Sequence, residues 1–308
     1  MIGEGVVILG IFVADLAFRS RRMPAEGETI AGSAFAMGPG GKGSNQAVAA
    51  ARAGAQVTFV SRIGADAFGD IALATWRAEG IRARVARVEG EATGAAFIYV
   101  NETTGENAII VVSSAAGGLS AADVDAAADA IAGARVFVTQ LEQPLAAARR
   151  GLEIARAAGV TTIFNPAPAG PVDDALFALC DYVVPNESEA AALTGVVPSS
   201  LDDARRAGEI LIARGAGAAL ITLGEKGALL CEPDRVLHVP AFRAGAVVET
   251  AGAGDAFVGG FAAALAGGED AAAAARLGAA TAGISVTRPG TAPSMPRRAE
   301  IDALLAGA

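Results

Sequence analysis

The chain has 308 residues, of which 53% are hydrophobic, and its formal net charge is −9. This charge, with no basic stripe along the sequence, argues against a nucleic-acid-binding or membrane-surface protein. No apolar run reaches the ~18 residues that a membrane span needs. An acidic residue stands where a signal peptide would be basic, so we expect a cytoplasmic protein.

The single histidine and the two cysteines narrow the chemistry further. His238 is the only histidine of the chain, and it lies in an alternating, strand-like segment, where it is predicted not to be catalytic. A Ser-His-Asp or Cys-His catalytic arrangement and a zinc site made of His and Cys ligands are therefore not expected. Cys180 and Cys231 stand in apolar surroundings and are predicted to be buried free thiols. Any general base is therefore expected to be a carboxylate.

Apolar, strand-like runs alternate with alanine-rich segments of helical period along most of the chain. The predicted strands are residues 6–12, 56–63, 135–139, 160–164, 182–184 and 218–223. The predicted helices are residues 44–53, 71–79, 145–158, 187–193, 202–214, 253–265, 270–286 and 297–305. This alternation predicts an α/β fold, a doubly wound and mostly parallel sheet with helices on both faces.

Two stretches, 14–37 and 81–113, have the pattern of short strands and turns without helices. We predict that they form a small β lid subdomain, inserted twice into an α/β domain made of residues 1–13, 38–80 and 114–308. Ligands of open α/β sheets bind beyond the carboxyl ends of the strands. A lid at that edge would exclude water from a reaction.

A glycine-rich turn at Gly252, Ala253 and Gly254 comes directly before Asp255 and an apolar helical run. Such a junction points several backbone amides at one spot, where the helix dipole adds positive charge, so it can bind a phosphate. Asp255 stands where a proton acceptor would be needed. The alternative is that Asp255 only completes a helix N-terminus.

A second glycine cluster spans residues 38–45 and matches the pattern G-x-G-x-x-G. It does not follow the first strand directly and lacks the later acid of a dinucleotide fingerprint, and Gly43 after Lys42 breaks a Walker A motif. What remains is a loop that opens a helix, from which Lys42 and Asn45 can project toward hydroxyl groups. The alternative is a plain turn with Asn45 in solvent.

The two glycine segments, with further pieces between them, resemble the ribokinase-like (pfkB) family of carbohydrate kinases. The pieces are Val-Ala-Asp at 13–15, Gly-Gly-Lys-Gly-Ser-Asn-Gln from 40, Gln-Leu-Glu at 140–142, Asn-Pro-Ala-Pro at 165–168, Pro-Asn-Glu-Ser-Glu at 185–189, Ile-Thr-Leu-Gly-Glu-Lys-Gly at 221–227, Ala-Gly-Ala-Gly-Asp at 251–255 and Val-Thr-Arg-Pro-Gly-Thr-Ala-Pro-Ser at 286–294. They occur in the family's order and cover nearly the whole chain.

The resemblance implies transfer of the γ-phosphate of ATP to a primary hydroxyl of a small sugar, with D-ribose and ribose 5-phosphate expected. It makes Asp255 the base, and the amides of Gly252, Ala253 and Gly254 the anion hole. The implied sugar-binding residues are Asp15, Gly41, Lys42, Asn45 and Glu142. The implied nucleotide-binding residues are Asn186, Thr222, Gly224, Lys226 and Gly254. Glu189 would organise magnesium through water, and a monovalent cation, usually potassium, would lie at Glu249, Ala251, Ser285, Arg288, Gly290 and Ser294.

Two departures from the family pattern bear on these expectations. Val13 stands where ribokinases usually have asparagine, and valine cannot hydrogen-bond a sugar hydroxyl. Glu249 replaces the usual aspartate, so the cation site is expected to shift or weaken. Apart from the resemblance, the preferred interpretation of Asp15 is a strand-end turn residue, and that of Glu142 is a cap of the helix that starts near Pro144.

Several alternatives therefore stay open from the sequence. The acceptor could be another small polyol, such as fructose, deoxyribose or a nucleoside. The chain could be a non-catalytic sugar or nucleotide sensor, although a sensor needs no base beside a phosphate hole. A dinucleotide oxidoreductase is the third alternative.

We also expect a homodimer through the lid, because Phe35, Met37, Phe97 and Tyr99 would leave apolar surface or open strand edges on a monomer.

Overall fold

A computed structural model describes residues 3–307, which form thirteen strands and eleven α-helices. The strands are β1 (Val6–Leu9), β2 (Val13–Ser20), β3 (Ala34–Gly40), β4 (Val57–Gly64), β5 (Arg82–Val88), β6 (Thr93–Asn101), β7 (Asn107–Ser114), β8 (Val136–Thr139), β9 (Thr161–Phe164), β10 (Tyr182–Val183), β11 (Ala218–Thr222), β12 (Ala228–Cys231) and β13 (Val236–Val239). The helices are α1 (Lys42–Arg52), α2 (Ala67–Ala78), α3 (Ala121–Asp125), α4 (Ala128–Ala132), α5 (Leu145–Ala157), α6 (Asp174–Phe177), α7 (Glu187–Thr194), α8 (Leu201–Ala213), α9 (Ala253–Gly267), α10 (Ala271–Ser285) and α11 (Arg298–Ala306).

Nine strands form one large sheet in the order β13-β12-β11-β10-β9-β8-β1-β4-β5. All neighbours from β11 to β5 pair in parallel, while β12 and β13 add an antiparallel edge. Parallel neighbours need crossover connections, which the helices supply. The predicted α/β fold, with a mostly parallel sheet, is confirmed.

Strand β1 shows why this sheet must be covered on both faces. Val6 and Ile8 pack into the core layer beneath α1, α9 and α10, whereas Val7 and Leu9 pack into the layer beneath α5 and α8. All four side chains are at most 4% exposed. Successive strand residues point to opposite faces, so a strand between two helical layers is apolar throughout.

The other four strands form a small sheet in the order β3-β2-β6-β7. The pairing register places Asp15, Ala96 and Val111 in one row, and therefore on one face. Leu16, Phe97 and Ile110 form the next row, on the opposite face. This separate sheet agrees with the prediction of a small β lid, and Asp15 lies on one of its two faces.

The predicted boundaries of the lid need correction. The prediction places residues 81–113 in the lid, but β5 pairs in parallel with β4 from Thr58↔Arg82 to Gly64↔Val88 and is the edge strand of the large sheet. An edge strand has one open side and tolerates charges, so its arginines resemble those of a lid strand. On the other side, β2 begins at Val13 and β3 continues to Gly40, beyond the predicted 14–37.

The remaining sequence expectations concern the thiols and the membrane. Cys180 and Cys231 are both buried and free, as predicted. Among residues 3–307, no helix combines the length and apolar character needed to cross a bilayer.

Candidate active site

Helices α1 and α9 bring the two glycine turns together. Gly259 packs so closely on α1 that an added methyl group would lie 2.4 Å from Cβ of Ala49. Ala49 is about one turn beyond Asn45, and Gly259 about one turn beyond Asp255. The close packing therefore sets the two polar side chains face to face, and Asn45 Nδ2 donates a hydrogen bond to Oδ2 of Asp255 over 3.1 Å.

The first turn of α9 has open backbone amides. Gly252, the N-cap residue, has a φ of 79°, and no side chain caps the helix. The Ala253 amide donates to the carbonyl of Thr250 over 3.2 Å, but across the described chain the amides of Gly252 and Gly254 have no acceptor. An added methyl group on Gly254 would meet nothing within 4 Å, so this turn faces open space. Two of the three predicted amides are thus free for an anion.

Asp255 is buried and held by α1. It is 7% exposed, and its Oδ1 accepts a hydrogen bond of 3.1 Å from Gln46 Nε2. Burial raises the pKa of Asp255, while the Lys42 ammonium and the hydrogen bonds from Asn45 and Gln46 lower it. Both oxygens accept from side chains of α1, and no side chain caps α9, so Asp255 does not serve as a cap of its own helix.

The predicted sugar-binding residues converge on the same place. Lys42 and Asn45 lie in the first turn of α1, whose N-cap Gly41 has a φ of 89° and would clash with the Ile11 carbonyl if it carried a side chain. Glu142 Oε2 accepts a hydrogen bond of 2.7 Å from the Lys42 amide. Asn45 is 4% exposed, so the reading of this loop as a plain turn with a solvated asparagine is wrong.

The alternatives for Asp15 and Glu142 are also wrong. Asp15 lies inside β2, paired with Gly38 on one side and Ala96 on the other, and is not a turn residue. Its carboxylate rests against Gly40, where an added methyl group would lie 2.1 Å from Oδ1. Helix α5 has no side-chain cap, so Glu142 does not cap it.

The charges of the site perturb one another. Burial, with help from Asp255 and Glu249, raises the pKa of Asp15 to about 6. Burial raises the pKa of Glu142 to about 7; Asp255 and Asp15 add to this increase, whereas Lys42 opposes it.

The Lys42 ammonium responds in the opposite sense. Burial lowers its pKa, but the attraction of Asp255, Glu142 and Glu189 outweighs burial and raises it. Lys42 is thus a cation that interacts with three carboxylates of the site.

Asn186 and Glu189 lie at the head of α7, where they form a capping box. Asn186 Oδ1 accepts from the Glu189 amide over 2.8 Å, and Glu189 Oε2 accepts from the Asn186 amide over 2.9 Å. Burial raises the pKa of Glu189, while the Asn186 amide and the Lys42 ammonium lower it. The Lys42 ammonium thus acts on the carboxylate of Glu189 as it acts on those of Asp255 and Glu142.

The other predicted nucleotide contacts follow β11. The Thr222 amide donates to the carbonyl of Pro185 over 3.0 Å, so this strand end adjoins Asn186. Gly224, with a φ of 54°, turns the chain there. Lys226 is exposed, and its Nζ donates a hydrogen bond to the Ser199 carbonyl over 2.9 Å.

The predicted cation loops lie side by side. Glu249 Oε2 accepts a hydrogen bond of 2.8 Å from the Gly290 amide, and the Glu249 amide donates to the Val286 carbonyl over 3.2 Å. Within residues 3–307, no group of three His, Cys, Asp or Glu side chains is spaced to bind a metal. The side chains of the other polar candidates are engaged elsewhere: Ser285 with the Ala282 carbonyl, Arg288 with Glu300 and Ser294 with the Thr291 carbonyl.

Four residues of the site, Gln46, Gln140, Asn165 and Gly40, have no predicted role from the sequence. The first three are buried amides that hydrogen-bond one another beside Asp255. One sequence signal could have indicated a role for Gln46, since it is a polar residue directly after Asn45 near the start of a helix that is apolar farther on. Gln140 and Asn165 carry a similar signal, because each is a polar residue directly after a buried strand.

Val13 gives the site an apolar border. It is 3% exposed and packs with Ile11, Ala96 and Ala116. It stands two residues before Asp15, on the same face of β2. A methyl group on the neighbouring Gly94 would lie 2.9 Å from its Cγ1, so the valine fills the space available.

This chain is similar to several known proteins. Residues 4–298 match the family described as pfkB family carbohydrate kinase. A deoxyribokinase from Salmonella typhi is 38% identical over 293 residues, which cover 94% of this chain and 95% of the relative. A ribokinase from Haemophilus influenzae is 38% identical over 296 residues, covering 96% of each chain. The structure of Arabidopsis thaliana ribokinase complexed with ribose and ATP superposes with a TM-score of 0.92 at 30% identity, over 98% of this chain and 99% of that one.

Proposed function

Since the chain belongs to the pfkB family of carbohydrate kinases, we propose that it transfers the γ-phosphate of ATP to the primary hydroxyl of a small sugar. D-ribose, giving ribose 5-phosphate, is the expected acceptor. One observation carries the mechanism: Asp255 is buried in the first turn of a helix whose leading amides are uncapped. That arrangement joins a base to an anion site, as phosphoryl transfer requires.

In the proposed reaction, an Asp255 oxygen accepts the proton of the sugar hydroxyl as the hydroxyl oxygen bonds to the γ-phosphorus. The bond from that phosphorus to the β–γ bridging oxygen breaks, and ADP leaves. The amides of Gly252 and Gly254 donate to the transferring phosphoryl group, and the Ala253 amide can join them by releasing Thr250. These donors stabilise the charge on the equatorial oxygens.

The sugar-binding assignments rest on the polarity of the site. Asp15 and Glu142 accept hydrogen bonds from hydroxyls, and Asn45 offers a donor or its Oδ1, which is buried and has no partner within residues 3–307. Lys42 and the backbone of Gly41 complete the set. An orphaned buried oxygen beside the base is the kind of group that a bound hydroxyl satisfies.

For the nucleotide, we assign Asn186, Thr222, Gly224 and Lys226, together with the Gly254 amide. Magnesium, when bound, neutralises charge on the β- and γ-phosphates, and Glu189 fits a role through water because Asn186 already engages both of its oxygens. Potassium would lie between the paired loops at Glu249, Ala251, Ser285, Arg288, Gly290 and Ser294. Since the polar side chains there are engaged, backbone carbonyls are the ligands we expect.

The test of the proposal is ADP release with purified protein, magnesium-ATP and a panel of pentoses, hexoses and nucleosides. We expect one sugar to stimulate release, and Asp255→Asn to lower kcat by about 10²–10⁴-fold, the usual contribution of a general base. If no sugar stimulates release and Asp255→Asn matches the wild type, the proposal fails. Sugar or nucleotide binding without turnover would favour a sensor, and NAD binding an oxidoreductase.

A second acceptor, 2-deoxyribose, is favoured by Val13. Its apolar side chain, two residues before Asp15, suits a carbon that lacks a hydroxyl better than one that carries it. The relative named deoxyribokinase is in keeping with this candidate. We expect Val13→Asn to shift the ratio of kcat/KM toward ribose by roughly tenfold, the effect of about one hydrogen bond. An unchanged ratio would contradict a specificity role for Val13.

The lid supports a proposed homodimer. On the lid face opposite Asp15, Ile110 is 62% exposed, Phe35 58% and Met37 49%. Apolar area of this kind, on the two edge strands β3 and β7 of the small sheet, favours burial against a second copy. Light scattering on the purified protein is expected to give a dimer mass; a monomer at micromolar concentration would refute it.

We also propose that the small sheet closes over the sugar and that the enzyme acts in the cytoplasm, where ATP is supplied.

A further inference from the structure

A chain of buried amide side chains runs from the large sheet to Asp255. Gln46 Nε2 donates to Oδ1 of Asp255 over 3.1 Å and to Oδ1 of Asn165 over 3.0 Å. Gln46 Oε1 accepts from Gln140 Nε2 over 2.6 Å. Gln46 and Gln140 are 0% exposed and Asn165 is 8% exposed, so bulk water does not compete for these bonds.

The orientation of each amide follows from a single fixed group. The Val184 carbonyl can only accept, so the Asn165 atom 2.8 Å away must be nitrogen. Asn165 therefore presents its oxygen to Gln46, which must answer with its own nitrogen. The second hydrogen of that nitrogen is then committed to Asp255, and the Gln46 oxygen to Gln140.

We propose that Gln46 is a positioning residue of the reaction, which locks the carboxylate of Asp255 in one orientation. This inference rests on the proposed function of Asp255 as the base. With Gln46 on Oδ1 and Asn45 on Oδ2, rotation of the carboxylate about its Cβ–Cγ bond breaks both hydrogen bonds. A base held in place transfers a proton more effectively than one that samples several rotamers.

A purely structural role does not account for the network. Within the described chain, Gln140 Oε1 is buried and has no hydrogen-bond partner, and it lies against the backbone of Gly10 and Gly43. An unsatisfied buried oxygen destabilises the fold, and apolar side chains of the same shape would avoid that cost. The network is therefore better explained by what it does to Asp255 than by stability.

The hydrogen bond from Gln46 also favours the ionised form of Asp255. The other charged groups around this carboxylate are Lys42 of α1, Asp15 of β2, Glu142 before α5 and Glu189 of α7, while Glu249 before α9 acts on Asp15. Replacing Gln46 leaves all of them in place. A shift in the pH profile of the variant would therefore report on the lost hydrogen bond.

The test compares Gln46→Met with Gln143→Met. Gln143 is a matched control, because it is 3% exposed and its amide bonds to Thr139 Oγ1 and the Gln140 carbonyl, not to Asp255. We expect Gln46→Met to lower kcat roughly tenfold to a hundredfold, part of what a general base contributes. The KM for ATP should stay within about twofold, and the acidic limb of kcat should move up by on the order of one pH unit. We expect the control to keep both kcat and the limb.

Equal losses of kcat in the two variants, with an unmoved acidic limb, would overturn the proposal. Gln46→Asn, which withdraws the amide by one methylene, serves if the methionine variant does not fold, and the same directions are expected. A double-mutant cycle of Gln46→Met and Asp255→Asn in urea unfolding gives a readout independent of turnover. The coupling should be larger at pH 8 than at pH 5. If the wild type phosphorylates no sugar, the proposed function fails; if the coupling is absent, the role of Gln46 fails.

Discussion

Replacing Glu142 with glutamine is expected to stabilise the folded protein at alkaline pH and to change its stability little in acid. Burial raises the pKa of Glu142 from 4.5 to about 7, with Asp255 and Asp15 adding to the increase and Lys42 opposing it. The folded pKa therefore lies above the unfolded one, so ionisation costs folding free energy. The favourable contribution of the protonated carboxyl is complete below pH 4.5 and is lost as the pH rises through about 7.

The magnitude follows from these two values. An increase from 4.5 to about 7 corresponds to about 3 kcal/mol once the pH exceeds both. Between pH 5 and pH 8, the wild type should lose about 2.5 kcal/mol relative to Glu142→Gln. Glutamine can still accept the 2.7 Å hydrogen bond from the Lys42 amide through its side-chain oxygen, so the comparison isolates the charge.

The assay is urea unfolding followed by circular dichroism at several pH values without ligands. Glu225→Gln makes the same chemical change at an exposed position and serves as the control variant. A Glu142→Gln difference that is constant from pH 5 to pH 8 would refute the reasoning, because it would mean that the carboxyl titrates alike in the folded and unfolded chains.

Three further perturbations test other parts of the site. Gly252→Ala places a side chain at a φ of 79° and 3.2 Å from Cα of Thr291, so we expect a loss of about 1–2 kcal/mol in thermal unfolding and a lower kcat; a normal kcat would argue against an anion site there. Glu249→Asp should lower the potassium concentration needed for half-maximal activity, measured by potassium titration; an unchanged titration would separate Glu249 from any cation. Ile110→Lys should weaken the dimer in sedimentation velocity while preserving the circular dichroism spectrum; an unaltered dimer would place the interface elsewhere.

Much of this protein could be predicted from local sequence. The apolar run at β1 and the helical periods of α1, α9 and α10 predicted the α/β fold. A strand that is buried on both faces is apolar throughout, whereas a helix that is buried on one face repeats its apolar residues with the helical period. The glycines before Lys42 and Asp255 marked two helix starts, because few other residues accept the backbone angles found at Gly41 and Gly252.

Other features were decided only by tertiary contacts. Strand β5 has the arginine-rich pattern of an exposed strand, and only its pairing with β4 places it in the large sheet. The short helices α3, α4 and α6 escaped prediction, since four or five residues contain too little of a helical period. In the same way, no local pattern shows that Gln140 and Asn165 lie beside Asp255.

Local sequence indicated which residue types the site could use, a carboxylate as the candidate base and glycine turns, because composition and local backbone preference are properties of neighbouring residues. The tertiary structure alone decided their protonation and orientation. Asp15, Glu142 and Asp255 come from distant segments, and their raised pKa values depend first on burial that no single segment provides. The amide chain that holds Asp255 likewise joins α1 to the ends of two strands, a meeting that only the packing of the sheet creates.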